Sequence, residues 1–396
     1  MFRLFNGLGI GMRQLMCVVF LFGNMQASGA DTIGRSAWHD YRVVPVLKGL
    51  VRPWSLAFLP DGEMLVTEKA GFLRSVQDGE LLSSPVSGLP EIVTRGQAGL
   101  MDIALHPEFS SNRIVYLSYS KKLPGDKSTT AVLRGVYEEG RLQQLEEVFE
   151  AKSTGRGHYG SRLAFDNNRH LFITVGDRQA RPEGRLTRHP AQDLSSHQGV
   201  VVRLTEHGQV PPDNPFIDKK GALPEIWSYG HRNPQGMVFD PSTDRLWATE
   251  HGPQGGDELN LIEPGGNFGW PVVGFGVNYG SGKAIHESTT REGMLQPVKV
   301  WVPSIATSGL ALYRGDQFPN WKGHLLAGGL SGERVALLEL DGSKVVREET
   351  LVLGLGRVRD IRIGVDDLVY LLIDTADESD WAIYRLEPEP RTEVRR

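Results

Sequence analysis

Apolar residues along this chain come in short alternating runs, each broken once by turn formers and then resumed. Trp54-Ser-Leu-Ala-Phe-Leu59 runs into Pro-Asp-Gly and resumes as Glu63-Met-Leu-Val-Thr67. The unit returns over 101–119, over Leu163–Val175 around Asp-Asn-Asn, and over Met237–Thr249 around Asp-Pro-Ser-Thr-Asp. Weaker copies follow at 310–313 with 325–327, and at 361–372. Period-two alternation on both sides of Asp, Asn, Gly or Pro is the signature of an antiparallel hairpin. The six units start at 56, 103, 163, 237, 310 and 361, with spacings of 47, 60, 74, 73 and 51 residues. That leaves roughly 61 residues per unit, room for a four-stranded blade and a loop. Capped amphipathic helices are nearly absent. The pattern predicts an all-β fold, a six-bladed β-propeller of four-stranded antiparallel blades over residues 31–388, with 389–396 as a charged tail. Tyr41–Leu50 is expected to pair around Trp381–Leu386 and close the ring. Segments 178–198 and 271–297 lack strand pattern and are long for hairpin loops, which marks them as a binding face or lid.

The first thirty residues read differently. Arg3 and Arg13 precede an apolar run from Leu15 to Phe22, and Ser28-Gly29-Ala30 sets small residues before Asp31. This is the order of a secretory signal peptide, and the run is too short to span a bilayer. The single cysteine, Cys17, lies inside it, so a chain starting near Asp31 has none. Export without disulfides, with a core large enough to need no staples, implies a periplasmic protein. No later segment is apolar enough for a membrane span.

Composition narrows the chemistry. The 43 Lys and Arg against 48 Asp and Glu give a net charge of −5, which exerts no general pull on nucleic acid. The 47 glycines in 396 residues suit a turn-rich fold. There is no GxSxG elbow, HExxH pair or paired CxxC. Gly280-Ser-Gly-Lys283 fails as a phosphate loop, since Val277 and Ala284 stand where Gly and Ser/Thr belong. Gly354-Leu-Gly356 is followed by Arg359 where a dinucleotide fingerprint needs its third glycine.

Four polar clusters remain, each on a loop beside a repeated strand. Gly155-Arg-Gly-His-Tyr-Gly-Ser-Arg162 sets His158 among glycines, as a base beside a flat ligand or as an ordinary structural histidine. Ser228-Tyr-Gly-His-Arg-Asn-Pro-Gln-Gly236 concentrates donors suited to an anion or carbonyl, or to a surface turn. Glu250-His-Gly-Pro-Gln-Gly-Gly-Asp-Glu258 and Gly265-Gly-Asn-Phe-Gly-Trp-Pro271 offer the hard oxygen ligands that calcium prefers, or plain acidic turns. Arg357 and Arg359 share one side of a strand, either as solvated charges or as the clamp for a multiply anionic ligand.

Taken in order, with Gly96-Gln-Ala-Gly-Leu-Met-Asp-Ile-Ala-Leu-His-Pro107 before them, these motifs resemble the soluble pyrroloquinoline quinone (PQQ)-dependent sugar dehydrogenases, in particular the aldose sugar dehydrogenase branch. The likeness runs over most of the chain from residue 31. It implies a six-bladed propeller that oxidises aldoses to lactones, reduces PQQ and hands electrons to an unidentified acceptor. By that resemblance His158 is the base at the sugar's anomeric hydroxyl and Asp177 its orienting partner. Arg232 and Asn233 bind the quinone oxygens, Gln97 lines the pocket, and Arg357 and Arg359 hold PQQ carboxylates. The backbone carbonyls of Gly252 and Pro253 match ligands of a PQQ-bound calcium. Asp257, Glu258 and the backbone of Phe268 match a second, structural calcium site. The chain departs from the pattern at Ser331, where many members carry a lysine near the cofactor, with Arg334 the candidate substitute. His251 stands where some relatives have glutamine. The competing readings are a calcium-dependent propeller hydrolase such as a lactonase, and a non-catalytic sugar- or protein-binding propeller.

Overall fold

The computed structural model describes residues 32–375 and 381–390. The signal peptide assigned to 1–30, with Cys17, and most of the charged tail, from 391 onward, lie outside the described residues. From Thr32 the chain forms six antiparallel sheets, five with four strands and one with five. Numbered along the chain, the blades cover 53–81, 100–150, 163–229, 234–301, 307–351 and 357–389. Blade 6 recruits its fourth strand from the N-terminal end. Asp40–Lys48 pairs with Ala382–Glu389, with Val43 opposite Leu386, and Thr32–Arg35 adds a fifth strand outside it. The expected closure of the ring by Tyr41–Leu50 is what forms. The only α-helix among the described residues is the single turn Phe109–Asn112, and no described helix could cross a membrane.

The six repeated units become the two inner strands of each blade. The second strands Met64–Glu68, Leu171–Val175 and Leu325–Gly329 are buried at every position. A strand sandwiched between neighbouring blades meets side chains on both faces, so burial is continuous even where the residues alternate in character. One apolar cluster fills each gap between blades. Leu65 and Leu117 join blades 1 and 2, and Tyr116 and Ile173 join 2 and 3. Phe172 and Met237 join 3 and 4, and Trp247 and Leu325 join 4 and 5. Leu337 with Leu371 and Leu56 with Leu372 complete the circle.

The innermost strands are less regular. Five of the six carry a register shift near their start, at Pro53/Ser55, Leu100/Ile103, Pro234/Gly236, Thr307/Leu310 and Val358/Asp360. An extra residue in one strand bends it and re-aims the side chains that follow. These bulges sit at one end of the central channel, beside the loops that carry Gln97, His158 and Arg232 and the strand start that carries Arg357.

Midway down, the channel is crossed by a layer of charges. Arg162 reaches Asp360 at 2.8 Å and Asp102 at 3.3 Å, and Arg362 reaches Asp360 at 2.8 Å and Asp102 at 2.6 Å. Ser55 and the backbone N–H of Leu163 donate to Asp102 as well, at 2.6 and 2.8 Å. Arg162 also lies over the Trp54 ring, 4.1 Å from its centroid.

Candidate active site

Two cavities open on the bulged end of the channel. The outer, about 410 Å³, is lined by His158, Asp177, Arg232, Trp270 and Tyr279 among others. The inner, about 260 Å³, is lined by Trp54, Lys69, Asn233, Arg357 and Arg359 among others. Gln97 and His251 border both. Every blade can deliver side chains here from two places, the loop before its first strand and the turn after its second. Gln97, His158 and Arg232 with Asn233 come from the first, while Arg357 and Arg359 stand at the start of the first strand of blade 6 itself. Lys69, Asp177, His251 and Asp374 come from the second.

His158 Nδ1 donates to Asp177 Oδ1 at 2.6 Å. That carboxylate is itself clamped, by the Gln179 N–H on Oδ1 and by Trp270 Nε1 on Oδ2, both at 2.8 Å. The imidazole is therefore held in one tautomer, with Nε2 left as the basic atom. Burial pulls the His158 pKa below the usual histidine value, against the opposing pull of Asp177. Its backbone N–H donates to Gln97 Oε1 at 2.6 Å, and its φ of 47° lies in the left-handed region. A non-glycine residue in that region stores strain that only a well-determined surrounding maintains. Behind it Gly176 approaches so closely that a Cβ there would lie 2.3 Å from the His158 carbonyl oxygen.

Arg232 is anchored at both ends. Its backbone N–H donates to Glu250 Oε2 at 2.6 Å, and its guanidinium donates to the His251 carbonyl at 3.2 Å and lies 5.3 Å from the Trp270 ring. Asn233 Oδ1 accepts from the Gly160 N–H and from Gln235, both at 3.3 Å. His251 Nε2 donates to the Thr307 carbonyl at 2.6 Å, and burial holds this imidazole neutral.

The residues assigned to metal separate into two groups. Gly252, Pro253, Glu258 and Phe268 line a small cavity of about 20 Å³, together with Glu250, which the motif contained but no role was given. That volume suits one water or one ion. Burial and the neighbouring Glu250 carboxylate push the Glu258 pKa up, and the Oδ1 of buried Asn260 beside them finds no donor. Two adjacent buried carboxylates and an unmatched carbonyl fit a divalent cation. The loop is tight, since a Cβ on Gly252 would lie 2.3 Å from the Gly256 carbonyl. Asp257 stands apart and does not line this cavity. Its oxygens accept from the Gly252 N–H at 2.9 Å, Ser304 Oγ at 2.8 Å and the Thr307 N–H at 3.3 Å, so it ties three segments together. Among the described residues no group of three or more His, Cys, Asp or Glu is arranged as a metal site, so backbone carbonyls must complete any such shell.

Arg357 and Arg359 share a single carboxylate, Asp374, at 2.8 and 2.9 Å. Ser331 and its candidate substitute Arg334 do not line the inner cavity, though Leu330 does. Arg334 turns instead to Thr350 Oγ1 at 3.3 Å. The sequence reading also passed over Trp270, Glu250 and Lys69. The first two were already inside distinctive motifs, and Lys69 occupies in blade 1 the place that Asp177 and His251 occupy in blades 3 and 4.

A six-bladed propeller with an aspartate-clamped histidine, a fixed arginine and a cationic recess at its mouth defines a class of propeller oxidoreductases. The chain belongs to the Glucose / Sorbosone dehydrogenase family, whose profile matches residues 50–385. It is 42% identical over 348 residues to the aldose sugar dehydrogenase YliI of Escherichia coli (strain K12), covering 86% of this chain and 91% of that protein. The crystal structure of the soluble aldose sugar dehydrogenase from Escherichia coli, in the apo form, superposes with a TM-score of 0.82 at 40% identity, covering 88% of this chain and 100% of that one. The PQQ-bound aldose sugar dehydrogenase of Streptomyces coelicolor gives a TM-score of 0.72 at 29% identity, with 88% and 98% covered.

Proposed function

We propose that the protein is a periplasmic quinoprotein that oxidises aldoses at the anomeric carbon to lactones, using PQQ and calcium and passing electrons to a separate acceptor. The observation that carries this reading is the adjacency of the two cavities. A base and a fixed cation face one, arginines crowd the other, and Gln97 and His251 form the shared border. PQQ bears three carboxylates, which match a recess where Arg357 and Arg359 together hold only one counter-charge.

When bound, the quinone supplies a two-electron acceptor and calcium a Lewis acid at its carbonyl. The chain's own part is positional and acid–base. His158 Nε2 takes the proton of the anomeric hydroxyl, while Asp177 holds the ring in place and stabilises the imidazolium that forms. Arg232 presents a charge fixed in advance where negative charge develops, with no reorganisation needed at the moment of reaction. Asn233 adds an amide on the inner side, and Gly252, Pro253, Glu258 and Phe268 surround the ion-sized cavity. Trp270 and Tyr279 line the outer cavity beside His158.

The deciding experiment is dye-linked oxidation of an aldose panel by protein stripped of cofactor and metal, with PQQ and calcium added singly and together. Activity that needs both supports the reading. Silence with every sugar, together with no saturable PQQ binding, would overturn it in favour of a hydrolase or a binding propeller. Export is checked by N-terminal sequencing of protein from a periplasmic extract, expected to start near Asp31.

A further inference from the structure

Lys69 follows the second strand of blade 1, and its backbone N–H is pinned to the Arg52 carbonyl at 2.9 Å. Its ammonium lines the inner cavity and donates to the Gly96 carbonyl at 2.9 Å, one residue from Gln97. No carboxylate among the described residues pairs with it directly. Glu68, next to it in the chain, is turned away towards the Val51 N–H and Arg74. The cavity thus gathers three cations, Lys69, Arg357 and Arg359, around the one carboxylate of Asp374. Two positive charges are left over in a recess that Trp54 and Met101 also line. Such a surplus stands ready for a polyanion.

We propose that Lys69 anchors the cofactor, pairing its ammonium with a carboxylate of PQQ and supplying the cation that Ser331 and Arg334 do not. The inference rests on the quinoprotein reading. The groups facing Lys69 give it a second signature. Burial, Arg52 and Arg359 lower its pKa to about 8, with Asp374 alone opposing them. Near and above that pH part of the free protein carries a neutral amine, and an incoming anion draws a proton onto it. Affinity for PQQ accordingly falls as pH rises through about 8.

The test is calorimetric titration of the calcium-loaded full mature chain with PQQ at pH 6.5 and 8.5, in two buffers of different protonation enthalpy. Wild type is expected to take up a fraction of a proton at pH 8.5 and almost none at pH 6.5. Lys69→Met is expected to bind PQQ about 10- to 100-fold more weakly and without that uptake. Lys69→Arg is expected to keep most of the affinity and lose the uptake, because an arginine stays charged. Unfolding of the unliganded variants, matched to wild type, shows that the fold is intact. Lys69→Met with wild-type affinity and proton uptake overturns the proposal. Absence of saturable binding by wild type overturns instead the quinoprotein reading on which it rests.

Discussion

In the proposed reaction His158 is the base, and its backbone as well as its side chain is fixed for that role. The left-handed φ, the Gln97 acceptor on its N–H and the three donors clamping Asp177 leave Nε2 as the one free basic atom. His158→Ala is expected to lower turnover about 100- to 10,000-fold while PQQ affinity survives, since a general base contributes that range. Steady-state rates alongside a PQQ titration separate the two effects. The sign of the pH dependence follows from burial. The neutral ring is the active form and its pKa is depressed, so kcat/KM is lost as pH falls through a value below the usual 6.5. An acid limb centred above 6.5 would assign the titration to another group. At this scale residue type and motif picked out His158, Asp177, Arg232 and the arginine pair, all of which line the two cavities. Two placements were not legible in the sequence: Asp257, which does not line the ion-sized cavity, and Lys69, which lines the inner one. An acidic residue in a motif reads the same whether it borders a cavity or, like Asp257 at the start of its strand, accepts from the Gly252 and Thr307 N–H groups and Ser304 Oγ. A lone lysine after a strand carries no signal until the blades are superposed.

At the scale of elements, the site is an arrangement of strand ends. The inner hairpin of each blade announced itself by alternation and turn chemistry, and all six were in place. The outer strands did not, because a strand such as Arg141–Glu150 exposes most of its residues and reads as polar chain. Segments 178–198 and 271–297, correctly free of strand pattern, contribute Gln179, Asn278 and Tyr279 to the outer cavity. The spacing between elements is as tight as the side-chain geometry. Gly176→Ala places a methyl group 2.3 Å from the His158 carbonyl, a backbone atom that can only move away with its loop. A shift of about 1 Å in a positioned base costs on the order of 100-fold in rate. The variant is expected to show that loss in kcat with a circular dichroism spectrum like that of wild type, and unchanged kcat would mean that the loop absorbs the methyl group.

The whole molecule is a ring held by six apolar seams and one crossbar of charge. The seams, and closure by Asp40–Lys48, follow from patterning that was legible in the sequence. The crossbar was not, because Asp102, Arg162, Asp360 and Arg362 are dispersed over 260 residues and meet only once the ring has closed. Asp102 is fully buried, and Asp102→Ala leaves Arg162 and Arg362 to share Asp360 alone. Breaking such a buried network typically costs about 3–5 kcal/mol, which denaturant unfolding would register. A loss under 1 kcal/mol would mean the remaining groups rearrange to compensate. Arg362 of the crossbar lines a further cavity, and Arg162 reaches the carbonyl of Arg359, which lines the inner one, at 3.4 Å. The cavity at the far end of the channel, lined by Leu56, Ile103 and Val365 among others, has no lining residue in common with the inner cavity of the active site. A turnstile with a single entrance admits one visitor at a time. In the proposed reaction sugar and electron acceptor use the outer cavity in succession, so initial rates at several fixed acceptor concentrations should give parallel reciprocal lines, with excess of either partner obstructing the other.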